Sequence, residues 1–115
     1  MNGIFTGGLK KLGHNIEIID NFIVFDYVIT GGRFKDTQIK LGFEMVQFPM
    51  QIPHGPHFTP LFVPINEGAS SHPEKVLKSN LFKDNGGHLS RPYPETLKKT
   101  VEAYMAYIAH LFNTL

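Results

Sequence analysis

The stretch that decides the fold is Thr37-Gln38-Ile39-Lys40-Leu41-Gly42-Phe43-Glu44-Met45. Apolar residues alternate strictly along it with polar or small ones. The apolar set is Ile39, Leu41, Phe43 and Met45. Because successive side chains of a strand point to opposite faces of a sheet, this alternation predicts a half-buried antiparallel strand with one wet face.

Two more strands are predicted upstream of this stretch. Residues 22–29 form a nearly continuous apolar run broken by Asp26, which is typical of a central strand or of one covered on both faces. The connection over residues 31–36 is short, so we expect this strand and the next to form a hairpin. Residues 14–18 also alternate, and the turn signal Asp20-Asn21 follows them.

The C-terminal part of the chain predicts a helix. Residues 95–115 contain neither Gly nor Pro, and Pro94 or Thr96 can start the helix. Its apolar residues follow helical spacing as one stripe: Leu97, Val101, Tyr104, Met105, Ile108, Leu111 and Phe112. We expect this stripe to pack on the sheet.

The middle of the chain is rich in proline and histidine. Residues 47–94 hold all eight prolines, and those at 49, 53, 56, 60 and 64 exclude a helix and most ladder pairing. We predict one short strand near residues 61–63. Residues 66–93 read as a long loop with a helical turn around residues 74–78. A loop of this length in a small domain is often functional.

Length and composition indicate one globular domain over residues 1–115. The chain is 42% hydrophobic and 18% charged, which argues against wholesale disorder. Glycines at 3, 7, 8 and 13 disfavour a helix, so we expect residues 1–13 to be a loosely ordered segment. The predicted fold class is α+β. It has an antiparallel meander of three to four strands, a proline-rich loop, a long active-site-like loop and a C-terminal helix packed on the sheet.

Charge and cysteine content exclude several classes of function. Eleven basic and ten acidic side chains leave a net charge of +1, so no strong field attracts nucleic acid or an acidic membrane. The chain has no cysteine, which excludes disulfides, thiolate metal sites and a cysteine nucleophile. No apolar run approaches the ~20 residues of a membrane span, and the start lacks signal-peptide features. We expect a cytoplasmic protein.

The histidines are the residues whose clustering suggests chemistry. Convergent imidazoles can hold zinc or another divalent ion, and the candidates are His54, His57, His72 and His88. Their spacing fits no helical face, and we favour the alternative that they are ordinary loop histidines. Ser79 and Ser90 lie near His88, but no nucleophile-elbow motif surrounds them. A metal-binding protein or hydrolase is therefore one hypothesis, and no other cofactor is expected.

A series of short motifs follows one order along the chain. They are Gly32-Arg33-Phe34-Lys35, the strand over residues 37–45, Phe48-Pro49, Ile52-Pro53, Gly55-Pro56-His57 and His72-Pro73. This order resembles the ubiquitin-conjugating (E2) family. It is most similar to bacterial E2-like proteins found beside ubiquitin-like proteins, E1-like adenylating enzymes and JAB-type peptidases. Residues 90–94 and Tyr104-Met105-Ala106 add to the likeness, which covers residues 14–112.

The chain departs from that family in two ways. The N-terminal helix, which helps to dock the E1 in eukaryotic members, has no predicted counterpart. The family's thioester-carrying cysteine, which follows the His-Pro pair, is missing from residues 79–90. Without a thiolate, thioester transfer cannot occur. An engineered replacement of that cysteine would leave Ser79 or Ser90 in its place.

The resemblance implies a non-catalytic E2-like domain. Its partner would be a ubiquitin-like protein, or an E1-like or JAB-type protein of the same system, and no residue is assigned a catalytic role. The implied contact surface is the vestigial active-site region, formed by Phe48, Pro53, His57, Phe58, His72, His88 and Tyr93. A third hypothesis is a structural subunit that self-associates through a sheet edge or through apolar loop residues.

Overall fold

A computed structural model of the chain describes residues 3–66, 76–89, 91 and 93–115. Within these residues, six antiparallel strands form one sheet that carries two helices. The elements are α1 (Gly3–Lys11), β1 (Glu17–Ile19), β2 (Phe22–Val28), β3 (Gln38–Glu44), β4 (His57–Thr59), β5 (Leu77–Ser79), β6 (Lys83–His88) and α2 (Val101–Asn113). The strand order is β1-β2-β3-β4-β6-β5. The α+β class is confirmed, with more strands than predicted.

The predicted hairpin is confirmed as β2 and β3. The two strands pair without a break from Phe22 opposite Glu44 to Val28 opposite Gln38. The connection between them is anchored to the end of α2, because the Gly31 amide donates a hydrogen bond to Asn113 Oδ1 at 2.9 Å. Gly32 adopts a positive φ of 77°, and a β-carbon there would overlap the Asn113 carbonyl oxygen.

Helices α1 and α2 cover the same side of the sheet, which we call the inner face. Phe43 of β3 lies there, and its ring meets Phe5 of α1 at 6.0 Å and Tyr104 of α2 at 5.5 Å between centroids. The alternation predicted for β3 is confirmed, since Ile39, Leu41 and Phe43 are all buried. The opposite, outer face carries the polar residues of β3 and no helix among the described residues.

The C-terminal helix is confirmed, but its predicted start is wrong. It begins after Thr100, whose side-chain oxygen accepts a hydrogen bond from the Ala103 amide at 3.2 Å. Leu97 therefore lies before the helix and is 39% exposed. The rest of the predicted stripe is buried: Val101, Tyr104, Met105, Ile108, Leu111 and Phe112.

The expectation that glycines prevent an N-terminal helix is wrong. Residues 3–11 form α1, which buries Phe5 and Leu9 against the core. Gly8 faces α2, and a β-carbon there would lie 2.5 Å from Val101 Cγ2. The glycine permits the close approach of the two helices. Tertiary packing therefore outweighs the low helix propensity of glycine.

The middle zone is more regular than predicted. The short strand is β4 at His57–Thr59 and not at residues 61–63, because Pro56 and Pro60 bracket a three-residue segment whose donors remain available for pairing. The prediction of a long loop over residues 66–93 is wrong where the chain forms β5 and β6. The helical turn predicted at residues 74–78 is wrong for Leu77 and Lys78, which lie in β5, whereas residues 74 and 75 fall outside the described residues.

Strand β6 has the sequence Lys-Asp-Asn-Gly-Gly-His, which shows no strand pattern. Its glycines are required by packing. A β-carbon on Gly87 would lie 2.5 Å from the Phe58 ring, and one on Gly86 would lie 2.4 Å from Phe82 Cβ. Glycine therefore occupies these two positions because neighbouring groups leave no room for a side chain, although glycine has a low strand propensity.

Candidate functional site

One row of residues crosses all six strands on the outer face. The strand registers place its members side by side in the order Glu17, Val24, Gly42, His57, His88 and Leu77. Direct neighbours in adjacent strands project to the same face of a sheet. The row therefore brings two histidines that are far apart in sequence into direct contact.

His57 and His88 form a stacked pair. Their ring centroids lie 3.9 Å apart, and the ring planes differ by 8°. His57 is 5% exposed, and the Phe22 ring meets it edge-on at 5.2 Å. The pair is thus packed as a largely apolar unit between β4 and β6.

Ser79 anchors the pair to the turn that follows β5. Its Oγ lies 2.9 Å from His57 Nδ1 and accepts hydrogen bonds from the amides of Leu81 at 3.1 Å and Phe82 at 2.9 Å. A hydroxyl oxygen has two lone pairs and one proton. Since both lone pairs accept from amides, the hydroxyl proton goes to Nδ1. His57 is therefore neutral, with its own proton on Nε2. We call Ser79, His57 and His88 the histidine cluster.

Burial keeps both imidazoles in their neutral form. Burial, together with the charge on His88, lowers the pKa of His57 to about 3. Burial also lowers the pKa of His88; the nearby His54 and Arg91 add to that effect, whereas the Gly55 carbonyl and Glu44 oppose it. A buried charge without full compensation costs free energy, so both rings are neutral at pH 7.

The turn over residues 80–82, which we call the flap, lies on the outer face. A β-carbon on Gly42 would be 2.2 Å from Leu81 Cδ2 and 3.5 Å from the Phe82 ring. Leu81 and Phe82 therefore rest directly on the β3 backbone. The ladder partner of Gly42 is Val24, which is fully buried. The flap, Gly42 and Val24 form a small apolar layer opposite the main core.

The histidine cluster is not arranged for nucleophilic catalysis. Ser79 is 3% exposed, so a substrate carbonyl cannot reach its Oγ in this conformation. The two backbone amides point at the serine oxygen itself, whereas an oxyanion hole directs donors at the substrate oxygen. The geometry instead stabilises the β5–β6 turn. Ser90, the other serine named above, lies outside the described residues.

The structure also bears on the metal hypothesis. Stacked imidazoles present ring faces to each other, whereas metal ligation needs nitrogen lone pairs in the ring planes to converge. His54 is exposed, and His72 lies outside the described residues. Within the part of the chain that is described, no group of three His, Cys, Asp or Glu side chains is placed to hold a metal ion.

The residues predicted as a contact surface do not share one surface. Phe48 and Phe58 are buried in the main core. Pro53 is also buried, and its carbonyl oxygen accepts a hydrogen bond from the Tyr104 hydroxyl at 3.2 Å. Tyr93 is half-buried against Tyr104 and Tyr107.

The structure does bring His57 and His88 together, and His88 is half-buried. Whether this region contacts a partner stays a prediction.

The open ends of the sheet bear on self-association. Among the described residues, β1 and β5 are its two edge strands, and β1 exposes Ile18 to 52% and Ile19 to 39%. An edge strand offers unpaired backbone groups to another chain. Self-association through β1 stays a prediction.

Sequence reasoning missed the roles of Ser79, Leu81 and Phe82. One signal was present, since a glycine inside a strand often marks close approach by another segment. Gly42 occupies such a position in the middle of β3. The partner that approaches it, Leu81, could not be identified without the tertiary structure.

Within the described residues, neither helix is long and apolar enough to cross a membrane. No family model, no curated protein and no solved structure matches the chain.

Proposed function

We propose that the chain is a non-catalytic E2-like domain that binds a ubiquitin-like protein or an E1-like enzyme of a bacterial conjugation system. The observation that carries the proposal is the E2-like order of motifs in a chain without cysteine. The order of elements is compatible with it: a helix, an antiparallel meander, a proline-rich segment and a C-terminal helix on the same face.

Helix α1 supports the proposal, because an N-terminal helix is present where none was predicted. In eukaryotic members, the N-terminal helix helps to dock the E1. In this chain α1 is anchored by Phe5 and Leu9, and it exposes Ile4 to 61% together with Lys10 and Lys11. We take this exposed surface as the contact for an E1-like partner.

The environment of Ser79 supports binding rather than transfer. A serine that replaces the family's cysteine would need an accessible oxygen to form an ester. Ser79 Oγ is buried and engaged by His57 and two backbone amides. The domain would therefore hold its partner without forming a covalent link at this residue.

The test is recovery of the tagged protein from its native host, followed by mass spectrometry of the bound proteins. We expect a ubiquitin-like or E1-like protein and no adduct on the chain. Charge reversal of α1 in the variant Lys10→Glu/Lys11→Glu should abolish recovery of the E1-like partner. The matched control is Lys98→Glu/Lys99→Glu, another exposed lysine pair, which lies before α2.

Three outcomes would contradict parts of the proposal. Recovery of neither partner class would contradict the assignment to a conjugation system. Equal recovery with both double variants would exclude α1 as the contact. An adduct at Ser79 would replace the non-catalytic role with a transfer role.

A further inference from the structure

One atom, Ser79 Oγ, makes hydrogen bonds both to His57 of the histidine cluster and to the backbone of the flap. Ser79 Oγ accepts hydrogen bonds from the amides of Leu81 and Phe82, and its hydroxyl donates a hydrogen bond to His57 Nδ1. We propose that the flap is pH-sensitive: the neutral His57–His88 pair holds it closed over the outer face, and it opens when the pair takes up protons. This inference does not depend on the proposed function.

The closed flap relies on these hydrogen bonds. Lys83, directly after the flap, has a φ of 55°, a conformation that non-glycine residues rarely adopt. The pairing between β5 and β6 also shifts register between Lys78 and Ser79, next to the flap. The local backbone is therefore irregular. The Ser79 bonds and the packing of Leu81 on Gly42 have to compensate for that irregularity.

A proton on His57 would compete directly with the flap. Protonated imidazole donates from both nitrogens, so Nδ1 would then need an acceptor. The neighbouring atom is Ser79 Oγ, whose lone pairs already accept from the Leu81 and Phe82 amides. Ser79 can accept from His57 only by releasing one of these amides, which loosens the turn.

A proton on His88 would act through charge. A charged ring 3.9 Å from His57 disfavours a second proton on the pair. The other charged and titratable groups that face His88 come from the surrounding segments. His54 precedes β4 and Arg91 follows β6, and both oppose a proton on His88, whereas Glu44 at the end of β3 favours it. Opening the flap would let water solvate the charge.

The sign of the effect follows from linkage. Burial and His88 lower the pKa of His57 from 6.5 to about 3 in the closed state, so an open state with water access binds protons more readily. The shift of His57 alone lowers the closed-to-open ratio about tenfold per pH unit below about 6.5, and the lowered pKa of His88 acts in the same direction. The closed state is therefore favoured at neutral pH and loses population as the pH falls.

Opening would enlarge an apolar patch, because Leu81 and Phe82 are only half-buried in the closed state and the surface beneath them is covered. The patch consists of Leu81, Phe82 and the surface beneath them around Gly42 and Val24. Val24 is fully buried but does not belong to the main core on the inner face. The patch can therefore be enlarged without disruption of the helix-covered side.

Amide hydrogen exchange by NMR between pH 7 and pH 5, corrected for intrinsic exchange, tests the proposal. The reporter is the Phe82 amide, and the reference is the Tyr104 amide in α2, which donates to the Thr100 carbonyl at 2.9 Å. We expect protection of Phe82 to fall about tenfold per pH unit below pH 6.5 while Tyr104 stays the better protected of the two amides.

Two variants sharpen the experiment. His88→Phe keeps a stacked ring but cannot take a proton, so the pH dependence at Phe82 should weaken by the share that His88 contributes, while the share from His57 remains. His110→Phe, at an exposed position of α2, should show the same pH dependence at Phe82 as the unsubstituted chain. If His88→Phe does not fold, NMR titration of the His57 and His88 ring resonances in the natural sequence is the substitute. Both rings should then start to take up protons in step with the loss of Phe82 protection.

Two results would overturn the proposal. One is protection of Phe82 that does not change between pH 7 and pH 5. The other is equal protection of Phe82 and Tyr104 at every pH, which would mean that acid unfolds the whole domain rather than the flap.

Discussion

Different interactions exclude water from the two faces of the sheet. The inner face is covered by α1 and α2, and its contacts are aromatic: Phe43 alone meets Phe5, Phe25 and Tyr104 within 6.0 Å. The outer face is covered locally by a three-residue flap, and its central contacts are a histidine pair and a serine. Burial of a large apolar area stabilises the inner face, whereas the contacts on the outer face depend on the protonation state of the histidine pair.

The faces therefore set opposite pH limits. On the inner face, burial raises the pKa of Tyr104 well above its usual value of 10, so that ionisation in the unfolded chain removes stability as the pH rises above about 10. On the outer face, the lowered pKa of His57 removes stability as the pH falls below about 6.5. The inner face therefore limits stability at high pH, and the outer face limits it at low pH.

The largest expected effect is on the inner face. Phe43→Ala leaves a cavity at the point where α1, α2 and the sheet meet, and we expect a loss of about 3–5 kcal/mol in the free energy of unfolding, measured with urea. Leu81→Ala on the flap should cost about 1 kcal/mol because the side chain is half-buried. The exposed control Met50→Ala should change stability by less than about 0.5 kcal/mol. Equal losses for Phe43 and Leu81 would remove the contrast between the faces.

The second prediction concerns acid. His57 contributes stability that is fully present above pH 6.5 and is lost as the pH falls toward about 3. Between pH 7 and pH 5 the free energy of unfolding should therefore fall by about 2 kcal/mol from this residue. Urea denaturation at both pH values measures it, with His110→Phe as the control variant that keeps the difference. A stability independent of pH over this range would disprove the assigned neutral state.

The third prediction tests the contact that holds the two helices together. Gly8→Ala should destabilise the domain by about 1–2 kcal/mol, because its β-carbon would overlap Val101, and this cost exceeds the gain in helix propensity. Gly7→Ala in the same helix meets no atom within 4 Å and should stabilise it by up to about 1 kcal/mol. Thermal melts compare them. In the Gly8→Ala background, Val101→Ala should recover part of the loss, and no recovery would exclude the overlap as the cause.

The smallest effect belongs to the surface of the outer face. Lys40 lies 3.0 Å from Asp26 and 3.7 Å from Glu17, and all three side chains are about half exposed or more. Exposed ion pairs contribute little, so Lys40→Met should change stability by less than about 1 kcal/mol. Denaturation at low and high salt checks this, since 1 M salt should erase the difference. A larger, salt-independent loss would point to packing by the lysine stem.

Sequence reasoning was strongest where a regular pattern met the main core. The alternation over residues 37–45 identified β3 and its buried face, and the stripe from Val101 to Phe112 identified the core side of α2. It was weakest where glycine decided the structure. Gly8 in α1 and Gly87 in β6 looked unfavourable for regular structure, yet each allows a close contact with a side chain distant in sequence. Gly86 likewise leaves room for Phe82 of the flap.

The candidate site follows the same division. The sequence singled out His57 and His88 by their type and clustering, but their spacing along the chain says nothing about stacking. The β4–β6 register brings them together, and the β5–β6 turn supplies Ser79.

By itself the sequence determined the α+β class, the hairpin, the C-terminal helix and the exclusion of thiol chemistry, because periodicity and composition act locally or through one face of one element. Only the tertiary structure decided which face the helices cover, which glycines are contact points and which histidines stack. Those features depend on pairs of residues distant along the chain, and no local preference encodes such pairs.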